Sequence, residues 1–581
     1  MILKGTGVSP GIAMGQALIM EREAAPVFRL AIAAGQVGRE VERLAAAVRE
    51  SRAQLQAIKD RLSREGNVPH AYIFDAHLLM LEDPLLLDRA VAVIREERVN
   101  AEWALREVSE QLHALFDEFT DAYLRERRTD LDDVLGRIQL NLTGSPGAPS
   151  LARLPGPFVL VAEDLTPSEA AELDWERVLA VATDVGSSTY HTAIIARSRG
   201  IPSVVGLAEA TRRIPAGSLV VVDGTRGELV VDPSGPALET FRAEQERDRR
   251  EESRLQQTRA DPAVTRDGVT VTLRANVEFP EEAATAARYG AAGIGLFRSE
   301  YLLGRARQWP TEEQQVDVYR RLLEQMRPHP VTVRMWDVGR EELAPGGPSS
   351  PNPALGERAL RLIPRSPEPF RVQLRALLRA AVHGPLRILV PFASGLADLR
   401  MVLDLLEEVK NVLRRESVAF REDVAVGLNL EVPSAALTVD LLAPQVDFLT
   451  VGTNDLIQYL LAVDRADPRV SGLYQPLHPA VLRTLDQAVR GAAAQAVPLS
   501  VCGEVAADPL AALVLVGLGV RELSMTPGAI PRVKAALRAV RADRAREVAY
   551  ACLSLSTAAE IEATLRRELA VAPAVVAAGE E

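Results

Sequence analysis

One histidine in this chain stands where a phosphoryl group could be accepted. His191 follows a loop rich in glycine and hydroxyl side chains, residues 186–189, and precedes the apolar periodic residues Ala193, Ile194 and Ala196, which predict a helix. The first turn of a helix offers free backbone N–H groups and a positive dipole end, which suit phosphate. An imidazole there could act as a nucleophile and carry a covalent intermediate. The alternative is a histidine that only meets solvent or caps the helix, and this segment does not decide between the two.

A second group of reactive side chains lies in the last three hundred residues. Strand-like runs alternate there with helical patterns, at 269–275, 292–297, 331–336, 386–391, 424–430, 446–451, 498–501 and 521–524. Eight such units predict a (β/α)₈ barrel, whose active site lies at the carboxyl ends of the strands. The polar residues that we expect at those ends are Asn276, Arg298, Arg334, Glu431, Asn454, Asp455 and Cys502.

Three arginines near these strand ends predict an anionic substrate. Arg298, Arg334 and Arg465 would converge on one mouth of the barrel, and guanidinium groups bind phosphate and carboxylate well. Glu431 and Asp455 offer hard oxygen ligands that suit Mg²⁺. The pattern predicts a small acid that carries both phosphate and carboxylate, bound together with magnesium.

A cysteine at the same mouth could supply a proton. The thiol of Cys502 could protonate carbon as an enolate collapses to a keto acid. The alternative is a small buried hydrophobe, the common fate of a free cysteine, and we assign that role to Cys552. With the arginines and the carboxylate pair beside it, Cys502 is predicted to be functional. One economical reaction passes phosphoryl from an enol phosphate to His191 while Cys502 converts the leaving enolate to pyruvate.

Composition narrows the class of protein. The chain has 581 residues, of which 47% are hydrophobic and 25% charged, so we expect several well-cored globular domains. The net charge of −12 argues against nucleic acid and anionic membranes as partners. Its two cysteines provide no disulfide framework, and we find neither a signal peptide nor an uncharged run long enough to span a bilayer. We therefore expect a cytoplasmic protein.

The domain organisation follows from a change of pattern along the chain. Apolar stripes with helical spacing at 36–64 and 103–123 predict an all-helical insertion, 31–142, within an α/β domain formed by 1–30 and 143–232. A highly charged segment predicts a linker helix, 233–260, and the barrel would occupy 261–581. The histidines on the insertion, His70, His77 and His113, are expected to pack or to meet solvent.

Motifs along nearly the whole chain resemble one family. They are GVSPGIA at 7–13, HTAIIAR at 191–197, GLFRSE at 295–300, NPALG at 352–356, VGTNDL at 451–456, AVDR at 462–465 and CGE at 502–504. Together they are similar to Enzyme I of the bacterial phosphotransferase system, the phosphoenolpyruvate–protein phosphotransferases. The resemblance implies transfer of phosphoryl from phosphoenolpyruvate to the histidine phosphocarrier protein HPr, as the first general component of sugar uptake.

The resemblance also implies roles for residues and domains. His191 would be the phosphohistidine, the helical insertion would bind HPr, and the barrel would form a homodimer. The remaining implied roles concern the barrel mouth: substrate binding by Arg298, Arg334, Asn454, Asp455 and Arg465, with Arg358 nearby; Mg²⁺ binding by Glu431 and Asp455; and proton donation by Cys502.

Two segments depart from the family pattern. Ser187 and Tyr190 replace a glycine and a serine in the loop before His191, and residues 337–342 read DVGREE where the family has DIGGDK. Arg340 could supply the charge of the missing lysine. Because the chain has almost no lysine, with only Lys4, Lys59, Lys410 and Lys534 among 67 basic residues, this loss is weak evidence against function.

Two other classes of function compete with this interpretation. A dikinase or synthase related to Enzyme I would need a large nucleotide-binding domain, whereas the N-terminal part here is a helical insertion without a glycine-rich phosphate loop. A regulatory HPr-binding protein without catalysis would have lost His191, Cys502 or the carboxylate pair, and all of these are present. Whether the HPr partner serves sugar uptake or a regulatory branch stays open.

Overall fold

The computed structural model describes residues 1–20, 27–64, 74, 77–81, 83–117, 122–144, 156–186, 196, 200–303, 309–339, 352–465, 467 and 469–569. These residues form two compact units, Met1–Arg250 and Glu251–Glu580. No helix within the described ranges is long and apolar enough to cross a bilayer.

The first unit contains an eight-stranded sheet whose order is β1-β8-β7-β3-β4-β5-β6-β2. The consecutive pairs β3–β4, β4–β5 and β5–β6 are parallel. The other neighbouring strands are antiparallel. The strands are β1 (Ile2–Lys4), β2 (Thr6–Ser9), β3 (Ile12–Met20), β4 (Phe158–Ala162), β5 (Val178–Thr183), β6 (Ser203–Val205), β7 (Leu219–Asp223) and β8 (Glu228–Val231). The sheet is thus built from both sides of an insertion, which confirms the split α/β fold.

The insertion between β3 and β4 is helical. Its helices are α1 (Val37–Arg64), α2 (Pro84–Glu97), α3 (Ala101–Asp117) and α4 (Ala122–Thr143). Their apolar faces form a core of their own, which includes Leu44, Leu55, Ile94, Val108 and Ile138. The sequence pattern had predicted this because the apolar residues recur every three or four positions.

A short helix of the α/β domain, α5 (Pro167–Glu172), contacts the insertion. The N–H of Ser168 donates to Asp133 over 3.1 Å, and Arg137 donates to Glu172 over 3.2 Å. His77 is completely buried beside Asp133, with 3.5 Å between its Nδ1 and the carboxylate. His77 therefore has the packing role expected of it, whereas His70 and the side chain of His113 lie outside the described residues.

Two further helices are described between β6 and β9, α6 (Ala210–Arg213) and α7 (Gly235–Gln257). The second of these is the charged helix that the sequence predicts between the domains.

The second unit contains a closed barrel of eight parallel strands in the order β9 to β16. The strands are β9 (Thr272–Val277), β10 (Ile294–Arg298), β11 (Val331–Arg334), β12 (Leu386–Val390), β13 (Ala425–Leu430), β14 (Phe448–Gly452), β15 (Leu499–Cys502) and β16 (Glu522–Met525). Their sequences are rich in apolar residues because helices cover the outer face of a parallel barrel.

The helices of this unit follow the strands in the (β/α)₈ pattern. They are α8 (Glu282–Arg288), α9 (Glu312–Met326), α10 (Glu368–Ala380), α11 (Leu396–Arg415), α12 (Pro433–Leu437), α13 (Val439–Leu442), α14 (Thr453–Leu461), α15 (Pro479–Ala494), α16 (Glu504–Ala507), α17 (Pro509–Leu518), α18 (Ile530–Ala539), α19 (Ala542–Cys552) and α20 (Ala558–Leu569). The predicted barrel is confirmed.

Polar groups lie inside the barrel as well as at its mouth. At the amino ends of the strands Glu522 pairs with Arg274 at 2.8 Å and with Arg387 at 3.2 Å. Asn276 accepts a hydrogen bond from Ser524 over 2.6 Å. β9 continues through Val277, two residues beyond the predicted strand end, so Asn276 is the penultimate residue at the carboxyl end of the strand rather than the first residue after it.

Candidate active site

Arg334 ends β11 at the carboxyl mouth of the barrel and faces two carboxylates. Its Nη1 lies 2.8 Å from Asp337 Oδ2, and its Nη2 lies 3.2 Å from Glu300 Oε1. Burial alone would lower the pKa of Arg334, but the charges of Glu300 and Asp337 outweigh it and raise the pKa. Burial raises the pKa of Glu300. Arg334 is therefore a permanent cation in a site that solvent barely reaches.

Arg358 connects the Arg334–Asp337 ion pair to residues that follow β12 and β14. Its Nη2 donates to both carboxylate oxygens of Asp337 at 2.8 Å and to Asp455 Oδ2 at 3.1 Å. Its Nη1 donates to the hydroxyl of Tyr459 at 3.1 Å, and its guanidinium lies 4.6 Å from the centre of the Phe392 ring. Burial would raise the pKa of Asp337, but Arg334 and Arg358 outweigh it and lower the pKa, so Asp337 stays ionised.

Glu431 follows β13 and is held by both of its oxygens. Oε1 accepts the backbone N–H of Phe392 at 2.6 Å, and Oε2 accepts the side-chain amide of Asn429 at 2.5 Å. Phe392 has a φ of +58°, an unusual conformation for a residue with a side chain. Burial and the charge of Asp337 raise the pKa of Glu431 to about 8.

Three carboxylates at this mouth could hold a divalent cation. Oxygen atoms of Asp337, Glu431 and Asp455 all lie within 4.8 Å of one another. The donors are oxygen atoms, the ligand type that Mg²⁺ prefers, and a cation would offset the burial and the neighbouring negative charge that raise the pKa of Glu431. The residues present therefore fit such a metal.

Cys502 ends β15 inside the barrel. Only 2% of its surface is exposed, and it packs with Leu296, Leu389 and Phe448. Burial, together with the charge of Glu431, raises the pKa of its thiol to about 12, so the group keeps its proton at neutral pH. The burial fits both interpretations of this cysteine, but a retained proton is what a donor requires. Cys552 is also buried, in the core of the same unit, as expected of a structural cysteine.

The residue after Cys502 must be glycine for the loop to take its path. Gly503 has a φ of +107°, and a Cβ there would come within 2.3 Å of Thr453 Oγ1 and 2.8 Å of Asn454 Oδ1. The side chain of Asn454 in turn accepts the N–H of Glu504 at 3.2 Å. This close approach brings the ends of β14 and β15 together.

Two further arginines stand at the rim and are more exposed. The side chain of Arg465 is 39% exposed and lies 4.0 Å from Asp455. The side chain of Arg298 is 40% exposed and pairs with Glu278. Arg298 is near enough to contribute to the lowered pKa of Asp337. Both cations are thus free enough to turn toward a ligand.

The structure brings most of the expected residues of the barrel together. One buried network contains Arg334, Arg358 and Asp455, with Glu431 and Cys502 close enough to affect one another's charge. His191, Ser187, Tyr190 and Arg340 lie outside the described residues, so their roles stay predictions.

Sequence reasoning missed four residues of the network. Glu300 and Asp337 lie in the quoted segments 295–300 and 337–342 but were given no role there. The other two, Phe392 and Tyr459, lie in none of the quoted motifs. A signal existed for Asp337, since it follows Arg334 by three residues at the same strand end. For Phe392 the sequence carries no signal, because its contribution is a backbone N–H in an unusual conformation and the face of its ring.

This arrangement suits a small dianion. Fixed guanidiniums would bind phosphate and carboxylate, and the cluster of carboxylates would hold a cation. The protonated thiol of Cys502 lies near enough for Glu431, Arg334 and Arg298 to affect its pKa. Such preorganised charges lower the cost of building up negative charge in a transition state.

Comparisons with known proteins agree with this chemistry. Family models of phosphoenolpyruvate-utilising enzymes match the chain in three segments: the N-terminal domain at residues 4–127, the mobile domain at 154–227 and the phosphoenolpyruvate-binding domain at 252–542.

Whole-length relatives carry one name. The phosphoenolpyruvate-protein phosphotransferase of Geobacillus stearothermophilus is 39% identical over 575 residues, which cover 98% of this chain and 98% of the relative. The protein of the same name from Cupriavidus necator is 39% identical over 581 residues, or 97% of this chain and 99% of the relative. An NMR structure of an Enzyme I protein (nEIt) is 38% identical, with a TM-score of 0.37, and the match covers 42% of this chain and 98% of that one.

The two phosphotransferase relatives match nearly the whole chain at 39% identity, which implies common descent, and they confirm the resemblance noted from the motifs. The chain belongs to the phosphoenolpyruvate–protein phosphotransferases, the Enzyme I family.

Proposed function

We propose that this enzyme transfers the phosphoryl group of phosphoenolpyruvate to His191 and then to HPr, and releases pyruvate. The observation that carries the proposal is the network at the barrel mouth, where fixed arginines, a cluster of carboxylates and a buried thiol lie close together. Phosphoenolpyruvate has the phosphate, the carboxylate and the latent enolate that such a site would recognise.

Binding of the substrate falls to the arginines and to the end of β14. Arg334, which is fixed, and Arg298, which can turn, hold the phosphate; Asn454, Asp455 and Arg465 hold the rest of the substrate. Arg358 holds these substrate-binding residues in place, because it contacts both Asp337 and Asp455. Guanidiniums that are already in place need no reorganisation when charge shifts from the bridging oxygen to the transferred phosphoryl group.

Cys502 completes the reaction at carbon. The bond between phosphorus and the bridging oxygen breaks as a bond to the His191 imidazole forms, and the bridging oxygen keeps the electron pair. The resulting enolate then takes the thiol proton at its methylene carbon and becomes pyruvate, which leaves a thiolate that solvent can reprotonate. A thiol with a pKa of about 12 holds this proton until a strongly basic carbon is present.

Enzymes of this family use a divalent metal, and we propose that it is Mg²⁺ here. Glu431 and Asp455 would hold it, with Asp337 close enough to contribute. When bound, it would neutralise charge on the substrate and orient it.

The first unit would supply the acceptor and the partner surface. The α/β domain, 1–30 and 143–232, carries His191, and the insertion, 31–142, binds HPr; the linker, 233–260, joins them to the barrel, 261–581, which forms a homodimer. The reaction requires a soluble partner, so the proposed location is the cytoplasm.

The test follows phosphate and pyruvate separately. Labelled phosphoenolpyruvate should place phosphate on the wild-type enzyme and release one pyruvate per site; added HPr should make pyruvate release continuous. The His191→Ala variant should show neither, while it stays folded. The matched control is His383→Ala, which removes a histidine near Glu324 on the outside of the barrel and should behave as wild type.

Each outcome bears on a different step. Phosphate retained in His191→Ala would refute the assignment of the histidine. Continuous pyruvate release without HPr would point to a different acceptor. Full labelling of the enzyme in excess chelator would refute the requirement for a divalent metal.

A further inference from the structure

Three buried polar side chains lie behind the end of β11, outside the substrate space. They are Ser299, which follows β10; Tyr319, on α9; and Gln373, on α10, and none of them is exposed to solvent. Burying a polar group costs free energy unless its hydrogen bonds are made. Their partners therefore indicate what these residues are for.

Gln373 connects the helix α10 to the backbone at the end of β11. Its Oε1 accepts the N–H of Trp336 at 2.9 Å, and its Nε2 donates to Ser299 Oγ at 2.9 Å. Since only the oxygen of the amide can accept a backbone N–H, the orientation of the side chain is fixed. Ser299 Oγ then donates to the carbonyl of Arg334 at 2.8 Å.

The segment from Arg334 to Asp337 is held at successive residues. The N–H of Met335 pairs with Leu389 on the neighbouring strand at 2.9 Å, and the N–H of Asp337 donates to Glu300 at 2.9 Å. With Ser299 on the carbonyl of Arg334 and Gln373 on the N–H of Trp336, consecutive peptide groups of this segment are fixed. The side chains at its two ends, Arg334 and Asp337, are the ones that form the ion pair of the site.

We propose that Gln373 is a positioning residue for phosphoenolpyruvate binding, which acts through Ser299 and the backbone of Trp336 to fix the guanidinium of Arg334. The inference rests on the proposed function, because it takes Arg334 as a ligand of the substrate phosphate. A planar guanidinium that binds in bidentate fashion depends strongly on its direction. A small rotation of the strand end would therefore weaken substrate binding without removing any group that touches the substrate.

The same buried network contains an internal control. Gln373 Nε2 also lies 3.3 Å from the hydroxyl of Tyr319, which donates to Gln315 Oε1 at 3.3 Å, and Gln315 donates to Pro310 at 3.1 Å. This branch runs away from the strand end. If the loss of a buried hydrogen bond weakened substrate binding only by destabilising the barrel, substitutions of Tyr319 and of Ser299 would weaken that binding equally.

The experiment compares Ser299→Ala, Gln373→Met and Tyr319→Phe in the full-length enzyme. The equilibrium dissociation constant for phosphoenolpyruvate is measured by calorimetry in a His191→Ala background, in which no phosphoryl transfer follows binding. KM, kcat and the melting temperature are measured for the same variants with His191 intact. We expect Ser299→Ala and Gln373→Met to weaken binding by about 3- to 10-fold, the range of one or two hydrogen bonds, with a smaller change in kcat. Tyr319→Phe should leave binding within about twofold of wild type, whatever it does to the melting temperature.

A Tyr319→Phe variant that weakens binding as much as Ser299→Ala would overturn the inference, since the effect would then be general loss of stability. Unchanged binding in a folded Ser299→Ala would overturn it as well, and this variant suffices if Gln373→Met does not fold. An Arg334→Met variant distinguishes failure of the proposed function from failure of the positioning inference. If that variant binds phosphoenolpyruvate normally, the role of Arg334 in the proposed function is wrong. If only Arg334→Met weakens binding, the positioning inference fails alone.

Discussion

The two ends of the barrel both carry buried charge, but in opposite balance. At the amino end two arginines, Arg274 and Arg387, share the single carboxylate of Glu522. At the carboxyl end two buried arginines face four carboxylates, those of Glu300, Asp337, Glu431 and Asp455.

The difference separates a structural ion pair from a reactive site. The arginines at the amino end are held by one partner and use their charge to join β9, β12 and β16. At the carboxyl end burial, together with the charge of Asp337, raises the pKa of Glu431 to about 8, and a bound cation would oppose both effects. Carboxylates perturbed in this way are characteristic of functional sites, whereas the amino end, with two arginines on one glutamate, has no spare carboxylate to bind a cation.

The largest expected effect is the loss of the proton donor at the carboxyl end. Cys502→Ala should lower turnover on the order of 10²–10⁴-fold, the usual contribution of a positioned acid, and should leave affinity for phosphoenolpyruvate unchanged. Steady-state kinetics and calorimetry measure the two quantities. Cys552→Ala is the matched control and should turn over normally; wild-type turnover in Cys502→Ala would return that cysteine to a packing role.

A pair of arginine substitutions tests the comparison directly. Arg298 and Arg387 each lie on a barrel strand beside a glutamate, one at each end. Arg298→Met should lower kcat/KM by about 10²–10³-fold, because it removes a donor to the phosphate. Arg387→Met should leave kcat/KM within about threefold. Equal losses in both variants would mean that the charges at the two ends do not differ in role.

Removing the shared carboxylate at the amino end should affect stability instead. Glu522→Gln leaves Arg274, whose side chain is only 7% exposed, without its ionic partner. We expect a loss of about 3 kcal/mol in the free energy of unfolding of the barrel, read from its urea transition, with normal kcat for the folded enzyme. Glu278→Gln breaks an exposed pair and should cost less than about 1 kcal/mol. Comparable losses in the two variants would contradict a buried structural pair.

The smallest effect concerns pH and the metal. An unfolded glutamate titrates near 4.3, whereas the pKa of Glu431 in the folded, metal-free site is about 8. Between these values the folded state holds a proton that the unfolded state lacks, so stability should fall as pH rises toward 8.

Mg²⁺ competes with that proton, so its stabilising effect should grow over the same range. Melting curves with excess Mg²⁺ and with chelator should therefore diverge by a few degrees as pH rises from about 5 to 8. Glu431→Gln should remove most of this divergence. A constant difference at every pH would show that Glu431 does not titrate in this way.

The sequence predicted the barrel well because strands of a parallel barrel are short apolar runs separated by helices. It also predicted that Glu431, Asp455 and Cys502 would meet, since each follows a strand and the topology then brings the strand ends together. The end of β9 was predicted two residues early, and such a difference at a strand boundary decides whether the side chain of Asn276 belongs to the strand or to the loop after it.

The remainder of the site depends on contacts that no local pattern encodes. Arg358 reaches Asp337 and Asp455 from a segment without periodicity, so its central position could be obtained only from the family resemblance, and then only as a nearby residue. Gln373 sits on an amphipathic helix at a position that periodicity assigns to the core. Its polar role emerges only when its three partners are placed around it.

The split sheet of the first unit has a consequence for the order in which the chain can fold during synthesis. In the described sheet the first strand, β1, lies at the edge beside the last strand, β8. Ile2 can therefore pair with Val230 only after more than two hundred further residues have been synthesised. The insertion has a core of its own within residues 44–142 and can become compact long before that. Because long-range pairing is slow, we expect nascent chains to carry a folded helical bundle flanked by an open N-terminal ribbon. In such chains the edge of β3 is exposed until β4 and β7 arrive to cover it.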